Sequence, residues 1–311
     1  MYTKRLNKVN FEGIKEVGGK GISLVEMIKI KFPIPQGFVI LSSAFDKFLE
    51  ENGLNLEVKV LLHKVNLEDI NLVDRVSNEI RDLFLNSEFP KDIAKEILKE
   101  FSKLKTRYVA VRSSATVEDS SVASWAGELE SYLNTTKSNL LENVKKSWAS
   151  LFTPRAIFYR LEKKLKETRV SMAVVVQKMI QSEISGICFT VHPVTKDYNQ
   201  MVIEAGYGLG EAIVEGKITP DTYTIHKKKL EIIDNNVRKQ KMMIVKDKDG
   251  NTEKGVPKSK QEKQKLLDFQ ILKLAKICRK IEVHYKKPQD IEWAFEKRKF
   301  YIIQSRPITT L

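Results

Sequence analysis

The sequence predicts a mixed α/β chain of the α+β kind, folded in two lobes, and three observations predict it. Apolar residues recur at helical spacing in some stretches and in short β-branched runs in others, without the regular βαβ alternation of a doubly wound sheet. At 311 residues the chain is long enough for a substantial core, as one large domain or two lobes. It ends on two apolar-rich runs around a charged turn, the pattern of a β-hairpin.

The elements follow in order. Gly18-Gly19-Lys20-Gly21 opens a helix-like stretch with Leu24, Met27 and Ile28 on one face, and Pro33 and Pro35 end it. Gly37-Phe38-Val39-Ile40 reads as a strand. Residues 43–101 read as mostly helical and highly charged, more scaffold than site. Tyr108-Val109-Ala110-Val111 is a short strand, followed by a polar loop to Gly127. Residues 138–166 are helical again. Strands are expected at 172–176, 185–190, 201–204 and 219–226, with a glycine-punctuated stretch at 206–216. The Lys-rich piece 227–260 reads as exposed hairpins and loop. A helix then carries Leu267, Ile271, Leu274, Cys278, Ile281 and Tyr285 on one stripe. The break between lobes is expected near residues 167–172, giving 1–168 and 169–311.

Composition narrows the function classes. The net charge of +14 favours polyanionic partners in general, but few aromatics interleave the lysines, so a nucleic-acid surface is unlikely. Cys188 and Cys278 lack paired spacing, which argues against a zinc knuckle or a disulfide framework and fits a reducing compartment. No run has the length of a membrane span, and Met1-Tyr2-Thr3-Lys4-Arg5-Leu6 leads into no signal-peptide apolar region. The expected location is cytoplasmic, with no membrane partner.

The terminal hairpin is the strongest chemical signal. Side chains alternate along a strand, so Asp290 and Glu292 share one face while Ile291, Trp293 and Phe295 share the other. With a three-residue loop at 297–299, Glu292 falls opposite Gln304 and Asp290 opposite Arg306. Two carboxylates, an amide oxygen and a guanidinium then form one patch, suited to Mg²⁺ and a phosphate oxygen. An exposed hairpin with a surface salt bridge is the plainer alternative.

The other motifs are each ambiguous alone. Gly18-Gly19-Lys20-Gly21 is not a P-loop, and serves equally as a flexible turn or as a helix start that meets an anion. Arg112-Ser113-Ser114-Ala115-Thr116 offers a cation and three hydroxyls to a phosphate, or a structural salt bridge. Ser124-Trp125-Ala126-Gly127 is a mobile cover or a turn. Gln177-Lys178-Met179-Ile180 suits an adenine edge or core packing. Glu204-Ala205-Gly206-Tyr207-Gly208-Leu209-Gly210-Glu211 has glycines that let backbone approach a ligand. His63, His192, His226 and His284 are isolated, and ordinary surface or core roles are the default for each.

In combination and order, these motifs resemble the nucleotide-binding domain of the phosphoenolpyruvate synthase and pyruvate phosphate dikinase family. The resemblance runs from Val17-Gly18-Gly19-Lys20-Gly21-Ile22-Ser23-Leu24 to Gln304-Ser305-Arg306-Pro307-Ile308-Thr309. Between lie Ile34-Pro35-Gln36-Gly37-Phe38, Val111-Arg112-Ser113-Ser114-Ala115-Thr116-Val117-Glu118-Asp119, Ala123-Ser124-Trp125-Ala126-Gly127, residues 206–211 and residues 289–294. Rifampicin phosphotransferases carry a similar domain.

The resemblance implies an ATP-grasp fold with ATP and Mg²⁺ held between two lobes. The first would carry the glycine loop and phosphate contacts, the second the adenine and metal sites. It implies that Lys20 and Arg112 neutralise phosphate oxygens, and that Gln177 and the backbone around Met179 meet the adenine. Glu292 and Gln304 would hold Mg²⁺ with Asp290 beside them, and Arg306 would stabilise charge on the transferring group. Family members continue into a phospho-His swivelling domain and a pyruvate-binding barrel. None of the four histidines here lies in a Gly/Thr/Ser-His-Ala setting, so those parts are expected from partner chains or from a longer protein. The expected function is the ATP-dependent half of phosphoenolpyruvate formation. The alternatives are the ATP-binding part of a rifampicin phosphotransferase-like enzyme and a nucleotide-binding regulatory module.

Overall fold

The computed structural model describes residues 1–10, 16–66, 68–116, 129–163, 170–248 and 250–308. It is a mixed α/β protein of two compact units, one comprising Met1–Val25 with Gln36–Met179 and the other Glu26–Pro35 with Ile180–Leu311.

The first unit begins with β1 (Thr3–Arg5), and α1 (Gly18–Lys29) starts in it. β2 (Gly37–Ile40) leads to four helices: α2 (Ser42–Glu51), α3 (Leu54–Lys64), α4 (Ile70–Asn86) and α5 (Lys91–Lys103). β3 (Val109–Ala115) and β4 (Ser131–Thr135) follow, then α6 (Leu140–Ala149), α7 (Pro154–Glu162) and β5 (Met172–Lys178). The strands form one antiparallel sheet in the order β1-β2-β5-β3-β4. β5 lies at its centre because Ala173, Val174, Val175 and Val176 are buried whichever way they face. In contact terms, therefore, residues 172–179 go with the first unit.

The helices cover this sheet with apolar stripes. α2 buries Ala44, Phe45, Phe48 and Leu49, and α4 buries Val73, Val76, Ile80 and Phe84. Phe45, Phe48, Phe84, Trp148 and Phe152 form a chain of ring contacts with centroids 5.1 to 5.9 Å apart. Burying each such side chain contributes about 1.5–3 kcal/mol. Caps fix the ends of two helices: Asp69 accepts from the Leu72 amide at 3.0 Å, and Thr153 Oγ1 from the Ala156 amide at 3.2 Å, with Pro154 in the first turn.

The second unit carries β6 (Ile184–Phe189), β7 (Gln200–Tyr207), α8 (Glu211–Val214), β8 (Asp221–His226), β9 (Glu231–Asn236), β10 (Met242–Asp247), β11 (Gly250–Gly255), α9 (Asp268–Tyr285), β12 (Gln289–Glu296) and β13 (Lys299–Pro307). Six strands form an antiparallel sheet ordered β13-β12-β6-β7-β8-β9, and β10 and β11 make a separate hairpin. α9 packs against β7, β8, β9 and β12, burying Ile271, Leu274, Ala275, Cys278 and Ile281. Cys188 and Cys278 are both free and buried, and they meet in this core. Burial and the neighbouring thiol push the Cys188 thiol well above its usual range.

Asp221 pins the β8 end of the sheet. Its carboxylate, fully buried, accepts from Lys265 Nζ at 2.6 Å, the Arg238 amide at 2.8 Å, the Lys265 amide at 2.9 Å and Tyr223 OH at 2.8 Å. Among the described residues no helix is long and apolar enough to cross a membrane.

Candidate functional site

The first unit presents its candidate groups along β3, with α1 against Ser114 and the end of β5 beside Tyr108 and Ala110. α1 opens on Gly18, whose φ of +69° suits a residue without a side chain. A Cβ on Gly18 would stand 2.2 Å from the Ser114 carbonyl oxygen, so the glycine start of α1 lies directly against β3. Arg112 and Ser114, two residues apart on β3, face the same way, and Ser114 is bonded to this helix start. Lys20, in the first turn of α1, and Arg112 thus belong to adjoining pieces of backbone. α1 has no acidic residue in its first turn to offset its positive N-terminal end.

The hydroxyls following Arg112 have a different use from the phosphate contact their sequence suggests. Ser113 Oγ donates to the Glu130 carbonyl at 2.9 Å, Ser114 Oγ to the Val17 carbonyl at 2.8 Å, and Thr116 Oγ1 to the Ser171 carbonyl at 3.0 Å. All three tie the strand to neighbouring backbone. Gln177 is buried on β5, opposite Ala110 of β3 and Gly37 of β2. The Met179 amide donates to the Tyr108 carbonyl at 3.1 Å, so a ligand at this turn meets the residue's carbonyl or side chain rather than its N–H.

In the second unit the terminal hairpin pairs Glu292 with Gln304 and Asp290 with Arg306. The route to this register differs from the expected three-residue loop. Glu296 pairs with Lys299 across a two-residue turn, Lys297-Arg298, with both φ values positive at 49° and 64°. A turn of that kind matches the twist of antiparallel strands. Continued without interruption, it would place Ile303 opposite Glu292. Instead the register shifts between Glu292 and Trp293: Trp293 pairs with Ile302, and Ile303 is the extra residue of a β-bulge. Beyond the bulge Gln304 and Arg306 share the face of the two carboxylates, while Ile291, Trp293 and Phe295 are buried on the other.

Two Arg306 contacts fall on one oxygen of Asp290, Nε to Oδ2 at 2.8 Å and Nη2 to Oδ2 at 2.7 Å. Burial pushes the Asp290 carboxyl up despite Arg306, and the Glu292 charge adds to the rise. A third carboxylate, Glu204 of β7, stands on the same face. Glu292 is opposite Ile187 of β6, and the β6–β7 register puts Ile187 level with Glu204. Burial raises the Glu204 carboxyl, and the charge of Asp290 raises it further. The sequence showed Glu204 only as an acid beside a glycine run, because its place in the row depends on β6–β7 pairing.

Glu292, Gln304 and Asp290 are hard oxygen donors that suit Mg²⁺, an ion that commonly takes one or two carboxylates and fills its shell with water and substrate phosphate. Among the described residues no group of three or more His, Cys, Asp or Glu is placed to hold a metal ion. A divalent ion here would therefore lean on oxygens of its ligand. The glycine loop before α8 is engaged by protein: Ser182 Oγ and Ser185 Oγ donate to the Gly208 carbonyl at 2.9 and 2.7 Å. At Gly208, with φ +90°, a Cβ would lie 2.5 Å from the Ile244 carbonyl, so at that position the glycine admits the β10 backbone. Val117-Glu118-Asp119 and Ala123-Ser124-Trp125-Ala126-Gly127 lie outside the described residues.

Residues 14–311 match the family model of the pyruvate phosphate dikinase AMP/ATP-binding domain. The chain belongs to this family. The match accounts for the mixed α/β, ATP-grasp-like architecture and assigns the chain an ATP-binding domain. A probable phosphoenolpyruvate synthase of Archaeoglobus fulgidus is 46% identical over 313 residues, covering 98% of this chain and 41% of the relative. The corresponding protein of Methanocaldococcus jannaschii is 43% identical, covering 98% of this chain and 26% of the relative. A rifampicin phosphotransferase of Bacillus subtilis is 38% identical, covering 98% of this chain and 36% of the relative. The chain therefore spans less than half the length of each of these relatives.

Proposed function

We propose that the chain binds ATP together with Mg²⁺ and prepares a phosphoryl group for transfer, as the ATP-side component of a phosphoenolpyruvate synthase-like system. The observation that carries this reading is the hairpin register, with Glu292 opposite Gln304 and Asp290 opposite Arg306. A face with two carboxylates, an amide and a guanidinium, on strands otherwise apolar, suits a metal–phosphate ligand better than it suits packing.

Glu292, Gln304 and Asp290 hold the ion, and Arg306, oriented by Asp290, brings its positive charge to a phosphate oxygen. Lys20 and Arg112 neutralise the phosphate chain, with the N-terminal end of α1 adding its own positive potential. Gln177 and the Met179 carbonyl or side chain meet the adenine. When bound, Mg²⁺ supplies charge neutralisation at the phosphate oxygens. Phosphoryl transfer asks a protein mainly for positioning and charge neutralisation, and these residues offer both. The acceptor is a histidine supplied by another domain or chain, with pyruvate as the final acceptor. The likeness to a rifampicin phosphotransferase keeps an antibiotic hydroxyl as the second reading of that final acceptor.

Titration calorimetry tests the site. ATP should bind more tightly with Mg²⁺ than without it, and Glu292→Ala should remove most of that difference. Equal ATP affinity in wild type and variant, with and without Mg²⁺, refutes the assignment.

A further inference from the structure

We infer that Ser114 is a positioning residue for the phosphate chain, its hydroxyl joining the glycine start of α1 to the face of β3 that carries Arg112. The inference rests on the ATP reading proposed above. Ser114 Oγ accepts from the Gly21 amide at 3.1 Å and donates to the Val17 carbonyl at 2.8 Å. Val17 and Gly21 are four residues apart, the pair whose N–H and C=O close the first turn of an α-helix. A side chain from a distant strand thus bridges the first turn of α1, and Lys20 lies between its two anchor points.

The burial of Ser114 is complete, so water does not compete for either bond. Because a Cβ on Gly18 would collide with the Ser114 carbonyl, backbone as well as hydroxyl is held close. The neighbouring Ser113 makes a useful contrast. It is equally buried but faces the other way, where it donates to the Glu130 carbonyl. Both serines stabilise the strand, and Ser114 alone of the two engages α1. The motif therefore divides into Arg112 as the group offered to ligand and Ser114 as the group that keeps Lys20 in step with it.

The test compares Ser114→Ala with Ser113→Ala in the full chain, measuring ATP and AMP affinities by calorimetry with Mg²⁺ and folding by circular dichroism. Ser114→Ala should weaken ATP by about tenfold, the effect of roughly one lost or misplaced hydrogen bond, and AMP by less than about twofold. Ser113→Ala should lower the melting temperature and leave the ATP-to-AMP ratio at the wild-type value. A folded Ser114→Ala protein with an unchanged ratio overturns the inference, and so does an equal loss of ATP and AMP. If the alanine variant does not fold, Ser114→Cys, similar in size with weaker hydrogen bonds, carries the same comparison. Lys20→Ala and Arg112→Ala separate the two levels of argument. If they too leave the ratio unchanged, the phosphate reading itself fails. If they change it and the Ser114 variants do not, only the positioning role is lost.

Discussion

Replacing Asp221 by alanine should be among the most damaging single changes in the second unit. The carboxylate and its partner Lys265 are both fully buried, 2.6 Å apart. Removing one member of such a pair costs about 3–5 kcal/mol, because the other charge stays uncompensated in the core. The amides of Arg238 and Lys265 and the hydroxyl of Tyr223 also lose their acceptor, and an orphaned buried donor costs about 1–3 kcal/mol before relaxation. Local rearrangement recovers part of this, so the expected loss is about 4–6 kcal/mol, a large fraction of the roughly 5–15 kcal/mol that folded domains possess. Urea unfolding followed by circular dichroism measures the shift in midpoint, and hydrogen exchange at β8 localises it. Adding Lys265→Met should restore at least about 1 kcal/mol, since the stranded charge disappears. A single-variant loss below about 1 kcal/mol, or a double variant no better than the single, would refute the reasoning.

Two further outcomes follow from local chemistry. Burial and Asp290 raise the Glu204 carboxyl above its ordinary value of 4.5, so the folded state binds its proton more tightly than the unfolded state. This contribution is present below pH 4.5 and is lost as pH rises through the folded pKa; Glu204→Gln should flatten that part of the stability profile, read as melting temperature against pH. Thr153→Ala should cost about 1 kcal/mol by removing the cap of α7, with Thr153→Ser close to wild type in the same thermal melts.

Much of this structure was legible in the sequence because its signals are local. The α1 start, the helical stretch of α2–α5, the stripe on α9 and the alternation at residues 289–296 each declare themselves within one window of residues. Other features depend on contacts that no window contains. β1 is three residues long, and the Glu96 carboxylate fixes it, accepting from the Tyr2 amide at 3.0 Å and from Thr3 Oγ1 at 2.7 Å. β4 is short and takes its form from pairing with β3. The apolar run of β5 announces a strand but not which sheet receives it. The fate of the Ser113, Ser114 and Thr116 hydroxyls was equally hidden, since their partners lie at Glu130, Val17 and Ser171. On the hairpin, the expected pairs were right while the path to them was different. Lys297-Arg298 carries no glycine or asparagine to mark a two-residue turn, and nothing in the composition of β13 distinguishes Ile303 as the extra residue.

That extra residue makes the hairpin more sensitive to length than to identity. Another aliphatic side chain at Ile303 leaves every pairing in place. Flattening the bulge with the residue retained would slide the remainder of β13 by one step, exchanging Gln304 and Arg306 for Ile303 and Ser305 on the carboxylate face. Ile303 thus acts as a spacer between the two-residue turn and the Glu292–Gln304 pair. A one-residue insertion between Lys299 and Gln304 that the bulge does not absorb would likewise part the acidic strand from its amide and guanidinium partners while preserving every one of those side chains. Removing Ile303 itself, by contrast, lets Gln304 meet Glu292 in the plain register of the two-residue turn.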